Sequence, residues 1–397
     1  MKLLYGHSFH LLLLAPLALI LAGCRSHDFP QYPPEYREYA YVTNGGSGTV
    51  SVFDVVNVRL DREIAVGQNP VAIAASPTRN EIYAVNSGDA GSQGSVSVIH
   101  AETNTVAGTI TVHSRPVSIE IDAAGDRAYV ANAGSNTISV LDLKARREIA
   151  AIGVGEEPVA ARIAPDGGSL VVVNRHSGSV TIVDPAALHV RSVFNGCPGA
   201  ADVVILPDSS KSFVACSGSH QVMVLSLARS EARPARPGAA PSLPAQPDRL
   251  ETLLDVGQGP VQLALKPDGG EVFVANSLSN SVSEVYNTTD EVGDTYMIGD
   301  FPVRSLVSLD NSLLYTAYLH SQYVTVYSFD DGKRLGSIHV GDGPAAMAFS
   351  GSGLLIFVVD SGSGEVAVVR TATRSLFTLL PTGRSPNAIA IKAFKVR

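Results

Sequence analysis

The stretch YVTNGGSGTVSVFD, residues 41–54, decides the fold of this chain. Val50 and Val52 alternate with Thr49 and Ser51, which is the period of a half-buried strand. The Gly-Gly-Ser-Gly run before them predicts a turn that reverses the chain. The stretch therefore predicts two short antiparallel strands joined by a tight turn.

The same pattern recurs along the whole chain, and each copy of the opening motif is followed by a small polar turn and a second alternating strand. The eight copies are YVTN (41–44), YAVN (83–86), YVAN (129–132), VVVN (171–174), FVAC (213–216), FVAN (273–276), YTAY (315–318) and FVVD (357–360). A further element begins at a proline, at Pro70, Pro116, Pro158, Pro198, Pro260, Pro302, Pro344 and Pro386, with spacings of 46, 42, 40, 62, 42, 42 and 42 residues. A period near 42 residues, built of strands alone, predicts propeller blades of four strands, named A to D, in which A starts at the proline and B carries the motif.

We therefore predict an all-β protein, a β-propeller of four-stranded blades over residues 40–394. The repeat count gives eight blades, with seven as the alternative if one terminal unit lies outside the ring. A lone A strand at 386–394 follows the last turn, whereas the first unit lacks an A strand. Pairing of these two chain ends in one blade would leave no open edge.

These repeats resemble the YVTN-repeat β-propeller family of secreted and surface proteins, over nearly the whole of the chain. The resemblance implies the fold strongly and the function weakly, because its members include lactonase-like propellers, quinoprotein dehydrogenase subunits and an eight-bladed haem-binding domain. The chain departs from the motif at Cys216 and Tyr318, which take the Asn position, and at Glu284, in a strand position otherwise held by Val or Ile.

The N-terminus predicts export and anchoring to a membrane. The apolar run at 11–22 is too short to span a bilayer and is typical of a signal peptide. It ends in LAGC, which resembles the lipobox of bacterial lipoproteins, so we expect cleavage after residue 23 and lipid attachment at Cys24. Residues 24–39 are then a tether. The resemblance to bacterial lipoproteins further implies the outer membrane or a periplasm-facing position in the cell envelope over the inner membrane, since Arg25 rather than Asp follows the cysteine.

Composition excludes several classes of function. The chain has a formal net charge of −8, which becomes −9 when Lys2 leaves with the signal peptide, so we expect no nucleic-acid partner. It contains no catalytic or nucleotide-binding motif of the common kinds, and no motif requires a cofactor. The proline-rich segment at 229–250 is predicted to be a surface loop between strands C and D of one blade, as a tolerated insertion or as a partner-binding arm.

In a propeller, the B-to-C turns and the D-to-A connections gather around one mouth of the central channel. His113, His176, His220 and His320 are all predicted to fall there, where they would bind copper, zinc or haem iron, or stand as exposed turn residues.

The A strands predict the wall of the channel, because side chains at two and four positions after each proline share one face. Most of these side chains are small. Glu120, Arg162 and Asp202, each four residues after its proline, are predicted to form a row at one level, with Arg304 in the opposite half. The row is either a structural ion-pair network or a polar ligand site.

Two further groups of residues lie near the predicted mouth. Cys197 and Cys216 flank it in one blade and are candidates for a disulfide, with a reactive or metal-binding thiol pair as the alternative. The Asn of the repeat, with Asp360, is expected to cap the B-to-C turn by bonding its own backbone.

These features favour a lipid-anchored, non-enzymatic binding or interaction scaffold. It would be a monomer that presents the mouth of its propeller to a protein or small ligand. The alternatives are a cofactor- or metal-binding propeller, of the haem-binding or quinoprotein dehydrogenase kind, and a lactonase-like enzyme; a nucleic-acid-binding propeller is the remaining class.

Overall fold

The computed structural model describes residues 32–228 and 246–396. The predicted signal peptide, Cys24, the first part of the tether and residues 229–245 of the insertion lie outside this range. All regular elements within it are β-strands. The described residues include no helix long and apolar enough to cross a membrane.

The strands follow the chain in blade order. Blade 1 takes its strands B to D from β1 (Tyr36–Asn44), β2 (Thr49–Asp54) and β3 (Arg59–Ala65). Blade 2 consists of β4 (Pro70–Ala75), β5 (Glu81–Asn86), β6 (Gln93–His100) and β7 (Thr105–Ser114), and blade 3 of β8 (Pro116–Ile121), β9 (Arg127–Asn132), β10 (Thr137–Asp142) and β11 (Arg147–Gly153). Blade 4 consists of β12 (Pro158–Ile163), β13 (Leu170–Asn174), β14 (Ser179–Asp184) and β15 (His189–Asn195). Blade 5 consists of β16 (Ala200–Ile205), β17 (Lys211–Cys216), β18 (Gln221–Ser226) and β19 (Arg249–Asp255), and blade 6 of β20 (Pro260–Leu265), β21 (Glu271–Asn276), β22 (Ser281–Tyr286) and β23 (Glu291–Met297). Blade 7 consists of β24 (Pro302–Val307), β25 (Leu313–Tyr318), β26 (Tyr323–Ser328) and β27 (Lys333–His339), and blade 8 of β28 (Pro344–Phe349), β29 (Leu355–Asp360), β30 (Glu365–Arg370) and β31 (Ser375–Pro381). The last strand, β32 (Pro386–Lys395), is strand A of blade 1.

Eight four-stranded antiparallel sheets form a closed ring, which confirms the predicted eight-bladed propeller. The last strand, β32, pairs with β1 over almost its full length, so the two chain ends complete blade 1 as predicted. β1 begins at Tyr36, and its first residues therefore belong to the propeller rather than to the predicted tether. They form strand because β32 runs on to Lys395 and supplies their backbone partners.

The core lies between blades and is built by the repeat motif. Its first residue is an aromatic side chain in seven of the eight copies, and all seven are buried: Tyr41, Tyr83, Tyr129, Phe213, Phe273, Tyr315 and Phe357. Burying one such side chain contributes roughly 1.5–3 kcal/mol, so the repetition of this position accounts for much of the packing energy.

The Asn that ends strand B stabilises the strand pair rather than the turn. In all five copies its Nδ2 donates to two hydroxyls on strand C, as Asn44 does to Thr49 and Ser51 at 3.0 and 2.9 Å. The predicted bond to the turn backbone is present only in part: Asn132 and Asn174 also donate to the carbonyls of Thr137 and Ser179 at 3.4 and 3.2 Å, whereas the hydroxyls on strand C are partners in all five copies. In blade 7 the motif residue Tyr318 instead donates its hydroxyl to the carbonyl of Ile298 at 2.7 Å.

Blade 5 differs from the others in where its A strand begins. Ala200, and not Pro198, pairs with the last motif residue, because Pro198 and Gly199 lie in a turn closed by Ala200 N–H donating to the Cys197 carbonyl at 3.1 Å. Counted from Ala200, the distance to the preceding blade is the regular 42 residues. The prediction that strand A of this blade starts at the proline was wrong by two residues.

Cys197 and Cys216 form a disulfide that ties this turn to strand B of the same blade. Both residues are fully buried. A crosslink that closes a loop of this length stabilises a protein by about 3 kcal/mol.

We expect the double substitution C197A/C216A to lower the free energy of unfolding by about 3 kcal/mol, measured by urea denaturation. Reduction of the wild-type protein should lower it by a similar amount, and the reductant should leave the double variant unchanged. A wild-type protein equally stable with and without reductant would contradict a stabilising disulfide.

The turns divide the ring into two faces. The mouth face carries the B-to-C turns and the D-to-A connections, and the base face carries the A-to-B and C-to-D turns. The chain enters at the base face, where the Gly351 N–H donates to Glu38 at 2.5 Å and Tyr32 Oη lies 3.3 Å from Ser352 Oγ. The end of β32 and both ends of the insertion, at Ala228 and Asp248, lie at the same face.

Candidate functional site

A central cavity of about 460 Å³ is surrounded by the first halves of the eight A strands. Every blade contributes to its lining, since each A strand runs along the axis of the ring. This volume lies within the range of small-molecule sites in proteins, which is roughly 300–1,000 Å³.

Strand register sorts the wall into two levels. The mouth ring consists of the residues that pair with the third residue of each motif: Ala72, Ser118, Ala160, Asp202, Gln262, Arg304, Ala346 and Ala388. The inner ring pairs with the first residue of each motif: Ala74, Glu120, Arg162, Val204, Ala264, Leu306, Ala348 and Ala390.

The predicted row of Glu120, Arg162 and Asp202 is therefore only partly right. Glu120 and Arg162 are neighbours in the inner ring, but Asp202 lies in the mouth ring, because the two turn residues before β16 move it one level up. It is followed around the ring by Gln262 and then Arg304, so acid, amide and base occupy one level of three consecutive blades. Arg304, which was predicted to lie in the half of the ring opposite the row, is two blades away from Asp202.

Each of these three mouth-ring side chains bonds the backbone of the next blade. Asp202 Oδ2 accepts from Leu263 N–H at 3.0 Å, and Gln262 Oε1 accepts from Ser305 N–H at 2.7 Å. Arg304 Nε donates to the Ala345 carbonyl at 3.2 Å. Since strand A is the inner edge of its sheet, these bonds satisfy backbone groups that no strand can reach.

The inner ring holds an ion pair. Arg162 Nη1 lies 3.5 Å from Glu120 Oε2 and donates to the Ala161 carbonyl at 3.1 Å. Burial raises the pKa of Glu120, while Arg162 and a hydrogen bond from the Ile163 backbone act in the opposite direction. The pair therefore neutralises its own charge within the channel wall.

The cavity is polar on one side and apolar on the other. The mouth ring is polar in blades 5 to 7 and carries only alanine in blades 8, 1 and 2, at Ala346, Ala388 and Ala72. Ser118, in blade 3, has a buried hydroxyl oxygen with no hydrogen-bond partner in the described part of the chain. A wall with this polarity can orient a bound molecule, because polar groups on one side only fix which end of a ligand faces them.

The four predicted histidines do not meet at the mouth. His113 lies inside the outer strand β7, with Nε2 at 3.4 Å from Glu148, so its predicted place in a connection was wrong. His176 is exposed near Glu156 at 3.6 Å, and His220 accepts from Gly259 N–H at 3.1 Å. The ring of His320 lies 5.7 Å from that of Phe301.

Each histidine thus contacts its own blade junction, and none is among the residues that line the central cavity. Across residues 32–228 and 246–396, no three His, Cys, Asp or Glu side chains are grouped so that they could hold a metal ion.

An apolar patch on the mouth face was not predicted from the sequence. Leu278, Met297, Leu319 and Tyr323 are exposed there by 60%, 75%, 41% and 46%, all on blades 6 and 7. A second cavity of about 290 Å³ is lined by Tyr323 together with Asp300, His320 and Arg334. Scattered exposed apolar residues are common in proteins, so the sequence alone does not show that these four lie together on one face.

Glu284, the departure noted in the sequence, is buried away from the cavity. It accepts a hydrogen bond from Tyr296 Oη at 2.7 Å, and the Tyr296 ring packs on Tyr327 of the next blade at 4.4 Å. Burial raises the pKa of Glu284, an effect that the Tyr296 hydroxyl reduces. The carboxyl group serves the junction between blades 6 and 7.

The chain resembles known propellers in part of its sequence and in its fold. A family profile described as "Lactonase, 7-bladed beta-propeller" matches residues 37–154, less than a third of the chain. No curated protein matches.

Solved structures similar in fold include three with low sequence identity. Dihydro-heme d1 dehydrogenase NirN in complex with DHE is 13% identical, with 91% of this chain and 76% of that chain covered and a TM-score of 0.68. Apo AztD from Citrobacter koseri is 13% identical, with 91% and 99% covered and a TM-score of 0.66. Kuenenia stuttgartiensis hydrazine synthase is 20% identical, with 84% and 92% covered and a TM-score of 0.55. At these identities the likeness concerns the fold alone.

Proposed function

We propose that this protein is a non-enzymatic binding propeller of the bacterial cell envelope, tethered by a lipid at Cys24, which holds a small polar ligand in its central cavity. The observation that carries the proposal is the one-sided wall of the mouth ring. Asp202, Gln262 and Arg304 stand together at one level, facing a side built of alanine.

A purely structural role does not explain this asymmetry. Backbone groups of the inner edge need satisfying in every blade, yet the mouth-ring side chains that bond the next blade are confined to blades 5 to 7. The neutral and small side chains on the other side leave the cavity open, and large apolar side chains there would have filled it. Ligand sites commonly combine a spacious apolar wall with a few convergent polar groups.

The proposal is tested by screening the purified full chain against a library of small polar metabolites by thermal shift. The variant A388F narrows the cavity from its alanine side, and A393F places the same ring at an exposed position of the same strand. Ligands of the cavity should stabilise the wild type and A393F but not A388F. Stabilisation that persists in A388F, or the absence of any ligand from the library, would contradict the proposal.

The tether is tested separately. We expect the wild-type protein to fractionate with membranes and to carry a lipid mass on its N-terminal cysteine, because the motif at 21–24 resembles a lipobox. The variant C24S should lack the lipid mass and keep an unprocessed leader. A lipid mass that persists in C24S, or a lipid-free N-terminus in the wild type, would contradict lipid attachment at this residue.

A lactonase-like hydrolase is the second candidate, favoured by the family match at 37–154 and by one observation in the channel. Glu120 is a carboxyl group with a raised pKa beside a guanidinium, a combination that is common in active sites. A lactone panel assayed by proton release distinguishes the two candidates. Hydrolysis that is lost in E120Q and retained in A393F would favour the enzyme, whereas no hydrolysis would leave binding as the function.

The library should also contain haem and divalent copper and zinc, read by absorption spectrum and metal content. Stoichiometric uptake that is lost on substituting His176, His220 or His320 would replace the proposed polar ligand by a cofactor. The remaining candidate for the mouth face is a protein partner that binds the apolar patch on blades 6 and 7 (the blade 6–7 patch), because apolar surface gathered on one face marks interaction sites.

A further inference from the structure

We propose that the ligand of the central cavity is a small zwitterion, with its ammonium group at Asp202 and its carboxylate at Arg304. This inference rests on the proposed binding function and names the chemical class of its ligand. The molecule is neutral overall and spans three blades of the mouth ring, with its carbon chain against the alanine side.

The charges of the wall lead to this class. The charged side chains that line the cavity are Arg162, Asp202 and Arg304. Arg162 is paired with Glu120. In the described part of the chain neither Asp202 nor Arg304 has an ion-pair partner within 4.0 Å, and they are not paired with each other. The wall therefore presents one unpaired acid and one unpaired base, which a molecule with both charges satisfies at once.

The free atoms of the two residues have the chemistry of the two ends of such a molecule. Asp202 uses Oδ2 for the Leu263 backbone, which leaves Oδ1 to accept from an ammonium group. Arg304 uses Nε for the Ala345 carbonyl, which leaves Nη1 and Nη2 to donate to a carboxylate. Guanidinium groups match carboxylates in geometry, and hydrogen bonds between charged groups are stronger than neutral ones.

Gln262 holds the two charges apart. It lies between them in the ring, and its amide is fixed at both ends, with Oε1 on Ser305 N–H and Nε2 on the Leu263 carbonyl at 2.6 Å. A fixed spacer between an acid and a base selects ligands by the distance between their charges. The length of the ligand chain is therefore part of the prediction.

The experiment is a calorimetric titration of the purified full chain with a series of ω-amino carboxylates, from glycine through γ-aminobutyrate to ε-aminocaproate. Butyrate and butylammonium each carry one of the two charges and are the matched ligand controls. We expect one chain length to bind best, and to bind 10- to 100-fold more tightly than either control, because each charged hydrogen bond contributes about 1.5–3 kcal/mol.

Two variants test which end of the ligand each side chain binds. D202N should reduce the affinity of the best zwitterion to that of butyrate, and R304Q should reduce it to that of butylammonium. The control R59Q removes an exposed arginine far from the cavity and should change nothing. Equal binding of the singly charged controls, or zwitterion binding unaffected by D202N and R304Q, would overturn the inference.

Failure of this inference is distinguishable from failure of the proposed function. If the series does not bind but a neutral or singly charged metabolite binds wild type and not A388F, the zwitterion is wrong and cavity binding stands. If no compound of any charge distinguishes wild type from A388F, both are wrong.

Discussion

At about pH 8 the substitution D360N is expected to raise the free energy of unfolding by about 4 kcal/mol. Asp360 takes the Asn position of the motif in blade 8 and is fully buried. Burial raises its pKa to about 7, with further upward contributions from Glu365 and Asp342, although the N–H groups of Gly341 and Ala367 donate to it. Ionising this carboxyl group at alkaline pH therefore works against the folded state.

The sign follows from proton linkage. A folded pKa near 7 lies above the value of an unfolded aspartate, so this residue's contribution is most favourable below about pH 4 and is lost as the pH rises towards 7. The advantage of D360N over wild type should accordingly be large at pH 8 and vanish near pH 4.

The matched control is A367S, which restores the hydroxyl that the motif Asn contacts on strand C in the other blades. In five blades the Asn donates to a hydroxyl that Ala367 replaces in blade 8. The difference between A367S and D360N/A367S should have the same sign and pH dependence as that between wild type and D360N, but be smaller, because the introduced hydroxyl donates to the Asp360 carboxylate and lowers its pKa. Urea denaturation across this pH range measures all four proteins, and a difference independent of pH would contradict a raised pKa at Asp360.

The substitution D248N is expected to lower the free energy of unfolding by about 3–5 kcal/mol, because it leaves a partly buried arginine without its anion. The side chain of Asp248, at the end of the insertion, is fully buried. It accepts from Arg191 Nε and Nη2 at 2.7 and 2.8 Å, from Ser192 Oγ at 2.7 Å and from Ala228 N–H at 2.7 Å. These bonds join the two ends of the insertion to each other and to blade 4.

The pH dependence here has the opposite sign from that of Asp360. Burial acts to raise the pKa of Asp248, but hydrogen bonds from Arg191, Ser192 and Ala228 outweigh it and lower the pKa. Its stabilising contribution is therefore present above the pKa of an unfolded aspartate and is lost as the pH falls below it. D331N removes one partner of an exposed ion pair with Lys333 at 3.8 Å and should cost less than about 1 kcal/mol. Equal effects of D248N and D331N in urea denaturation at neutral pH would show that Asp248 does not anchor the insertion.

The repeat motif was sufficient to predict the number of blades, their four strands and the closure by β32 and β1. The reason is physical, since each blade buries the same strand B and needs the same polar turns. The error in blade 5 arose where a proline no longer marked the strand. Pro198 belongs to the turn that Cys216 ties down, so side-chain positions counted from it are displaced by one level of the wall.

The grouping of the candidate site residues depends on this displacement of the wall positions in blade 5. The sequence identified Glu120, Arg162, Asp202 and Arg304 as channel residues, but their grouping required the register of each A strand. Gln262 stands two residues after Pro260, so the rule for the A strands places it on the wall, but an amide carries no charge that would distinguish it in the sequence. The histidines do not meet for a different reason. His176, His220 and His320 lie in B-to-C turns, which stand away from the axis, and His113 lies in the outer strand β7. Each imidazole contacts its own blade junction.

The most direct test of ligand binding in the central cavity is a crystal structure of the full chain soaked with the ω-amino carboxylate that binds best, or with the best library ligand if the series fails. We expect electron density in the central cavity, in contact with Asp202 or Arg304 and facing the alanine side. A direct ion pair between Asp202 and Arg304 that closes an empty cavity, or density only on the blade 6–7 patch, would contradict it.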